Sequence, residues 1–145
     1  MRFVPYEYQR YCTEYIKTHP IAALFLDMGL GKTVITLSAI KDLMLETFEV
    51  SKVLIIAPLR VARDTWPAEI EKWDHLKGLD ISVIVGDVKT RIAAVHHPAM
   101  IYIVNRENIR WLVEYYEKNG MRWDFSMIVN DDSSSITIML KSHRI

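Results

Sequence analysis

The stretch Leu26-Asp27-Met28-Gly29-Leu30-Gly31-Lys32-Thr33 decides how this 145-residue chain should fold. It follows a short apolar run at Ala22–Leu26 and precedes an apolar pattern of helical period over Thr33–Glu46. Glycines placed between a predicted strand and a predicted helix indicate a tight turn. We therefore predict a strand, a glycine turn and a helix, which together open an α/β domain.

The same alternation of short apolar runs and helical patterns continues along the chain. Apolar runs predict further strands at Val53–Ala57, Ile81–Val85, Met100–Val104 and Met127–Val129. Helical periodicity predicts helices at Glu7–Thr18, Val61–Trp73, Val88–Val95 and Glu107–Lys118. Strands alternating with helices form β-α-β units. The predicted fold class is therefore α/β, with a mostly parallel sheet of five or six strands and helices on both faces.

Composition is that of an ordinary globular protein, with half of the residues apolar and 18 basic residues balancing 18 acidic ones. A net charge of zero argues against binding nucleic acid through bulk charge, although a local basic face remains compatible with it. No apolar run reaches the roughly 20 residues of a membrane helix, and the N-terminus lacks a signal-peptide core. Cys12 is the only cysteine, which excludes an internal disulfide. We expect a cytoplasmic protein without a membrane partner.

The glycine turn carries the residue types that bind the phosphates of a nucleotide. Glycines let backbone N–H groups turn inward, where they and the helix N-terminus hold a phosphate. The Lys32 ammonium would lie between the β- and γ-phosphates, and the Thr33 hydroxyl would ligate Mg²⁺. The common pattern begins with glycine where this chain has Leu26, and the alternative is a glycine turn with a solvated lysine. The predicted cofactor-binding residues here are Gly29, Leu30, Gly31, Lys32, Thr33 and Val34.

An acidic pair, Asp131-Asp132, follows the last predicted strand. A strand that runs into two carboxylates is typical of the second half of a phosphate-binding site. We predict that Asp131 holds Mg²⁺, often through water, and that Asp132 positions the attacking water. The alternative is an acidic turn that caps the strand.

Three further groups of polar residues are candidate contacts. Gln9 precedes the first strand, and its amide offers a donor and an acceptor that suit the edge of adenine, with Phe3 or Tyr6 stacking on the purine. Arg60 and Arg63 follow the second strand and would meet nucleic-acid phosphates, the alternative being solvated arginines. Asn105, at the end of the fourth strand, offers another polar side chain at this edge or caps a helix.

In chain order, these segments resemble the superfamily 2 helicases, and among them the Swi/Snf-type helicase-like ATPases of bacteriophages. The similarity runs from about Phe3 to about Ser135. The resemblance implies an ATP-driven motor on DNA with two RecA-like lobes, which hold ATP and Mg²⁺ between them. The segments that carry it are Tyr8-Gln9, Asp27-Met28-Gly29-Leu30-Gly31-Lys32-Thr33, Ala57-Pro58-Leu59-Arg60, Asn105-Arg106-Glu107 and Asp131-Asp132.

The resemblance also implies roles for individual residues. Gln9 would contact adenine, Lys32 and Thr33 the phosphates and Mg²⁺, and Asp131 the Mg²⁺. Asp132 would stand where the family has its catalytic glutamate, so the predicted catalytic residues are Lys32 and Asp132. Arg60 and Asn105 would face the DNA backbone, and we add Arg63 to these predicted DNA contacts.

Two departures from the family lead us to expect an incomplete first lobe over residues 1–135 and a divergent tail over 136–145. The first departure is that Asp132 stands where the family has glutamate. Aspartate is one methylene shorter, and a misplacement of about 1 Å can cost ~10²-fold in rate. The second departure is that the sequence stops at Ile145, where the family continues with a second lobe. That lobe supplies arginine fingers, worth ~10³–10⁵ in rate in related phosphoryl-transfer systems. We therefore expect weak ATP binding, slow hydrolysis, and DNA contacts that are weak or made through a second lobe.

Two other functions remain open, together with the structure of the tail. The chain is alternatively a non-enzymatic interaction protein, derived from such a lobe, that binds a replication or host protein or self-associates. A compact P-loop kinase would need an arginine-bearing lid, for which the segment after Asp132 is too short.

The alternation of Ile136, Ile138 and Leu140 predicts an edge strand. We place the four tryptophans in the core: Trp66, Trp73, Trp111 and Trp123.

Overall fold

The computed structural model describes residues 1–26 and 31–141. Its helices in these ranges are α1 (Glu7–Thr18), α2 (Lys32–Lys41), α3 (Trp66–Lys72), α4 (Val88–His96) and α5 (Ile109–Lys118). Its strands are β1 (Ile21–Leu24), β2 (Val53–Ala57), β3 (Ile81–Ile84), β4 (Ile101–Asn105), β5 (Met127–Asp131) and β6 (Ile136–Leu140). Two of the predicted helices include a π-helical turn, at Asp42–Glu46 after α2 and at Val61–Thr65 before α3.

The six strands form one sheet in the order β1-β6-β5-β2-β4-β3. β2 runs parallel to β4 and β5, and β3 runs parallel to β4. β6 is antiparallel to both of its neighbours, β1 and β5. Five strands therefore point the same way and only β6 is reversed, which confirms the predicted α/β fold with a mostly parallel sheet.

The position predicted for the last strand is wrong, because β6 lies inside the sheet rather than at its edge. Ile138 pairs with Ala22 of β1 on one side and with Val129 of β5 on the other. Ile136 and Ile138 are buried, whereas Thr137 and Met139 are exposed. Such alternation indicates a strand with one buried face, but it does not indicate how many neighbours the strand has. The edges of the sheet are β1 and β3.

Each face of the sheet has its own hydrophobic core. Helices α1, α2 and α3 cover one face along all six strands, and Trp66 of α3 is fully buried there. Helices α4 and α5 cover the other face over the β2, β3 and β4 strands and part of β5. The three other tryptophans are half-buried against these two cores, so the four indoles pack as predicted. Within the part of the chain that the structure describes, no helix is both long and apolar enough to cross a membrane.

A tight turn joins β5 to β6 at the carboxyl edge of the parallel strands. The Asp132 Oδ1 atom accepts hydrogen bonds from the backbone N–H of Ser135 at 2.7 Å and of Ser134 at 3.0 Å, and from both serine hydroxyls. The Asp132 N–H in turn donates to the Ser135 carbonyl at 3.1 Å. Ser133 adopts a left-handed backbone with φ of 78°. The turn is thus closed by Asp132, and it folds β6 back between β5 and β1.

Replacing Ile138 with alanine tests whether one face of β6 packs in the core. Ile138 has no exposed surface. Its truncation should lower the free energy of unfolding by ~2–5 kcal/mol, as for other large-to-small changes in a packed core. Met139→Ala on the same strand is the control, because its side chain is 55% exposed and its loss should cost little. Urea unfolding followed by circular dichroism gives both values, and equal small effects would contradict a core-packed face of β6.

The stability of the turn should depend on pH through Asp132. Hydrogen bonds from Ser135 and Ser134 lower the pKa of the Asp132 carboxyl. A carboxyl group whose pKa is lower in the folded state than in the unfolded state stabilises the folded protein when it is ionised. This stabilisation is complete above the unfolded-state pKa and is lost as the pH falls through the folded-state pKa. Asp132→Asn should therefore be less stable than wild type at neutral pH, and the difference should shrink as the pH is lowered to and below the ordinary pKa of an aspartate. A constant difference in urea midpoint across this range would contradict an ionic contribution.

Candidate functional site

A cleft of about 930 Å³ opens beside the start of α2. Small-molecule sites typically have volumes of roughly 300–1,000 Å³. The cleft is bounded by the N-terminal segment, the first turns of α1 and α2, helix α3 with its preceding turn, and the β5–β6 turn. The residues that line it are Met1, Arg2, Phe3, Val4, Tyr6, Tyr8, Gln9, Gly31, Lys32, Thr33, Val34, Val61, Thr65, Glu69, Lys72, Trp73, Asp131, Ser133 and Ile136.

Gly31 brings the start of α2 against Gln9. Its φ of 83° is left-handed, a conformation that favours glycine. A Cβ atom at this position would lie 2.7 Å from Gln9 Nε2. Gln9 is buried, and its Oε1 accepts a hydrogen bond from the Tyr6 N–H at 2.9 Å. The glycine turn and the predicted adenine-reading glutamine therefore touch, although they are far apart in sequence.

The predicted phosphate-binding residues that the structure describes all line the cleft. Lys32 is the first residue of α2, and its Nζ donates a hydrogen bond to the Ser133 carbonyl at 2.9 Å. Thr33 is half-buried and Val34 is buried. Gly29 and Leu30 lie outside the described residues. The structure therefore brings the lysine of the glycine turn against the β5–β6 turn, 101 residues later in the chain.

Asp131 is buried at the end of β5, and both of its carboxylate oxygens are hydrogen-bonded. The Trp66 Nε1–H donates to Oδ2 at 3.1 Å, and the Ser133 N–H donates to Oδ1 at 2.9 Å. The Asp131 carbonyl accepts a hydrogen bond from the Arg106 guanidinium at 3.0 Å. The first two contacts fix the carboxylate, and Asp131 lines the same cleft as Lys32.

The donor set suits Mg²⁺ held mainly by phosphate and water. An ionised carboxylate has about four acceptor positions, so Asp131 can still face a hydrated cation beyond its two hydrogen bonds. Thr33 also lines the cleft and carries a hydroxyl. Mg²⁺ usually binds through one or two carboxylates together with substrate phosphates and water, rather than in an all-protein cage. The described residues contain no group of three or more His, Cys, Asp or Glu arranged to hold a metal.

Asp132 is placed differently from Asp131. Its side chain does not line the cleft, and its carboxylate is engaged by the backbone and hydroxyl groups of Ser134 and Ser135. This geometry corresponds to the alternative given for the acidic pair, a turn in which a carboxylate caps the end of the strand. Its role in positioning an attacking water stays a prediction.

The two aromatic candidates for purine stacking line the cleft, but each already has a ring partner. Phe3 stacks on His75 with ring centroids 5.0 Å apart and meets Trp73 edge-on. Tyr6 stacks on Tyr8 at 6.0 Å, and 71% of Tyr6 is exposed. Tyr6 therefore has more free surface for a base than Phe3.

The predicted DNA contacts separate into two exposed arginines and one buried asparagine. Arg60 is exposed. Arg63 forms an ion pair with Asp64 through two hydrogen bonds of 2.9 and 3.0 Å, and both side chains are about half exposed. Asn105 is 5% exposed, and its Oδ1 accepts from the Asn108 amide at 2.7 Å. In this structure Asn105 supports the loop after β4 and offers little surface to a ligand.

Sequence reasoning missed the groups that hold Asp131 in place, namely Trp66, Arg106 and Ser133. Trp66 falls in an apolar helical pattern, which indicates only that it packs in the core. Arg106 belongs to the quoted Asn105-Arg106-Glu107 segment, which was the available signal, but its partner is a backbone carbonyl that no motif reveals. The turn that carries Ser133 depends on the reversed strand β6.

Comparisons with known proteins agree with this geometry. Residues 10–136 match the model of the SNF2-related domain family. Putative protein p41 of Acyrthosiphon pisum secondary endosymbiont phage 1 is 38% identical over 144 residues, which cover 99% of this chain and 30% of p41. The chain thus spans about a third of the length of this relative.

A solved structure, the Sulfolobus solfataricus SWI2/SNF2 ATPase core in complex with dsDNA, shares the fold. It superimposes with a TM-score of 0.59 at 24% identity, over 72% of this chain and 22% of that chain. The family match and the phage relative confirm the predicted resemblance to an N-terminal lobe of a Swi/Snf-type helicase-like protein. Because the family model matches most of its length, this chain belongs to the SNF2-related domain family.

Proposed function

We propose that the chain is the ATP-binding lobe of a helicase-like, DNA-dependent ATPase of the translocase or remodeller type. Residues 1–135 form this lobe in the proposal. The observation that carries it is the contact between Lys32 and the β5–β6 turn, because it unites the glycine-turn lysine with the buried carboxylate of Asp131 in one cleft. Membership of the SNF2-related domain family supports the same function.

In this proposal the cleft binds ATP as its Mg²⁺ complex. Lys32 and the N-terminus of α2 take the phosphates, while Thr33 and Asp131 hold the hydrated cation. Gln9 and Tyr6 also line the cleft, and they are the residues that would meet the adenine. Mg²⁺ supplies the positive charge that stabilises the transferring phosphoryl group.

We propose that hydrolysis by this lobe alone is slow. The carboxylate of Asp132 is engaged within its own turn and does not line the cleft, so it is not placed to orient a water at the phosphates. The described cationic side chains that line the cleft are Arg2, Lys32 and Lys72. An arginine brought in by another lobe would stabilise the transition state, which in related systems is worth ~10³–10⁵ in rate.

DNA would lie along the carboxyl edge of the sheet. Arg60 and Arg63 follow β2 and are exposed there, so they are the proposed phosphate contacts. Asn105 is not part of this proposal, because its side chain is buried and bonded to Asn108.

Self-association is a second candidate function, which the sheet face left uncovered by α4 and α5 favours. Ile21 and Met139 are 67% and 55% exposed and lie opposite each other on β1 and β6. Exposed apolar side chains on neighbouring strands are typical of protein contacts. Light scattering over a concentration series tests this candidate: a dimer that persists in Lys32→Ala and dissociates in Met139→Lys would support it, and a monomer at all concentrations would exclude it.

Lys32→Ala should weaken ATP binding by about 10- to 100-fold. This range corresponds to the loss of hydrogen bonds between an ammonium and phosphate, worth ~1.5–3 kcal/mol. Titration calorimetry with ATP and Mg²⁺ measures the affinity. Lys118→Ala on α5 is the control and should bind like wild type, because Lys118 is exposed and does not line the cleft. Equal affinities of wild type and Lys32→Ala would contradict the proposal.

Arg60→Ala should weaken binding to duplex DNA about equally for all sequences and should reduce the salt dependence by about one charge. Asp64→Ala should strengthen binding, because it frees Arg63 from its ion pair. Fluorescence anisotropy with labelled DNA at several salt concentrations measures both effects. Arg110→Ala is the control, since this arginine on α5 is 91% exposed. An equal loss of binding for the Arg110 and Arg60 variants would contradict a specific contact edge.

A further inference from the structure

We propose that Asp132 is a positioning residue, which fixes the Ser133 carbonyl so that this carbonyl holds the Lys32 ammonium in the cleft. The inference rests on the proposed ATP binding and identifies what places the lysine before the nucleotide arrives. In this proposal Asp132 acts by holding the backbone of the turn, whereas the sequence predicted that it positions the attacking water.

The turn determines where the Ser133 carbonyl points. Asp132 binds the N–H groups of both Ser134 and Ser135 through one carboxylate oxygen, and its own N–H donates to the Ser135 carbonyl. Ser133 lies inside this closed loop with φ of 78°, a conformation that costs free energy for a residue other than glycine. The hydrogen bonds made by Asp132 hold Ser133 in this conformation.

Ser133 is also held at both of its polar backbone atoms. Its N–H donates to Asp131 Oδ1 at 2.9 Å, and its carbonyl accepts from Lys32 Nζ at 2.9 Å. The remaining oxygen of Asp131 accepts from the buried Trp66 indole. One residue therefore connects the proposed Mg²⁺-binding carboxylate with the proposed phosphate-binding ammonium, and the position of each depends on the turn.

The Ser133 carbonyl leaves Lys32 free to bind phosphate. A lysine ammonium has three N–H donors, so two remain after the bond to Ser133. A long flexible side chain loses rotamer freedom when a ligand fixes it. Because the carbonyl restricts Lys32 in advance, less freedom is lost on binding ATP, and a well-formed turn should raise the affinity.

Titration calorimetry with ATP and Mg²⁺ on variants of Asp132 tests the proposal. Asp132→Ala should lower the affinity about 3- to 10-fold, the cost of restricting one long side chain on binding when it is not held in advance. Asp132→Asn should stay within about twofold of wild type, because its amide oxygen accepts the same backbone N–H groups. A role in positioning water would instead leave the affinity unchanged in both variants.

Asp87→Ala is the matched control. Asp87 is another exposed aspartate that accepts a backbone N–H, that of Thr90 at 2.8 Å, and it does not line the cleft. Its removal should lower the melting temperature, as Asp132→Ala does, and leave the affinity for ATP unchanged. This comparison separates positioning of Lys32 from a general loss of stability.

Two substitutions at Ser133 test the backbone conformation that places its carbonyl and its N–H. Ser133→Gly keeps the carbonyl and favours the left-handed backbone, so its affinity should equal or exceed that of wild type. Ser133→Pro cannot adopt φ of 78° and lacks the N–H that Asp131 binds. It should lose at least as much affinity as Asp132→Ala, while circular dichroism confirms that it folds.

The results distinguish this proposal from the proposed function. If wild type binds ATP, Lys32→Ala binds it more weakly, and Asp132→Ala binds as well as wild type or better, only the positioning role is overturned. Equal weakening in Asp132→Asn and Asp132→Ala would also overturn it. If wild type gives no binding heat at millimolar ATP, both the proposed function and the positioning role fail.

Discussion

The hydrogen bond between the Lys32 ammonium and the Ser133 carbonyl is the contact on which the proposed site depends. It joins the start of α2, which follows β1, to the turn after β5. In the order of the sheet these two strands are separated by β6. The reversed strand therefore does two things: it fills the space between β1 and β5, and its connecting turn presents a carbonyl to the lysine.

The two adjacent aspartates of this turn have different surroundings and different proposed roles. Asp131 is buried and faces the cleft, held by an indole and a backbone N–H. Asp132 is exposed and closes the turn. Neighbouring residues on a strand point to opposite sides, so a pair of carboxylates at the end of a strand does not by itself place both in one site. The surrounding hydrogen bonds decide which carboxylate is available to a ligand.

Much of the fold could be predicted from sequence because its strands are short apolar runs between helical patterns. The bounds of α1 and β2 match the prediction, and those of the other predicted strands differ by only a few residues. The strand at 136–140 was also predicted from the alternation of Ile136 and Ile138. Its place between β1 and β5 was not, because alternation reports burial on one face and is silent about partners along the edges.

The candidate site was predictable to the extent that its residues follow parallel strands. Lys32 and Asp131 come after β1 and at the end of β5, and parallel strands bring such positions to one edge. Asn105 is hydrogen-bonded to Asn108, and Arg63 is paired with Asp64. Such side-chain partners cannot be predicted from a sequence motif. Trp66 shows the same limit, since an indole in an apolar helix face carries no sign that its N–H meets a carboxylate.

The indole N–H resonances of the four tryptophans test the central claim most directly. Trp66 binds Asp131, and Trp73 lines the cleft. Trp111 and Trp123 pack on the opposite face of the sheet. When ATP and Mg²⁺ are titrated into ¹⁵N-labelled protein, the Trp66 and Trp73 signals should shift while those of Trp111 and Trp123 stay in place. Shifts confined to Trp111 and Trp123, or no shift at saturating nucleotide, would contradict a nucleotide held between Lys32 and Asp131.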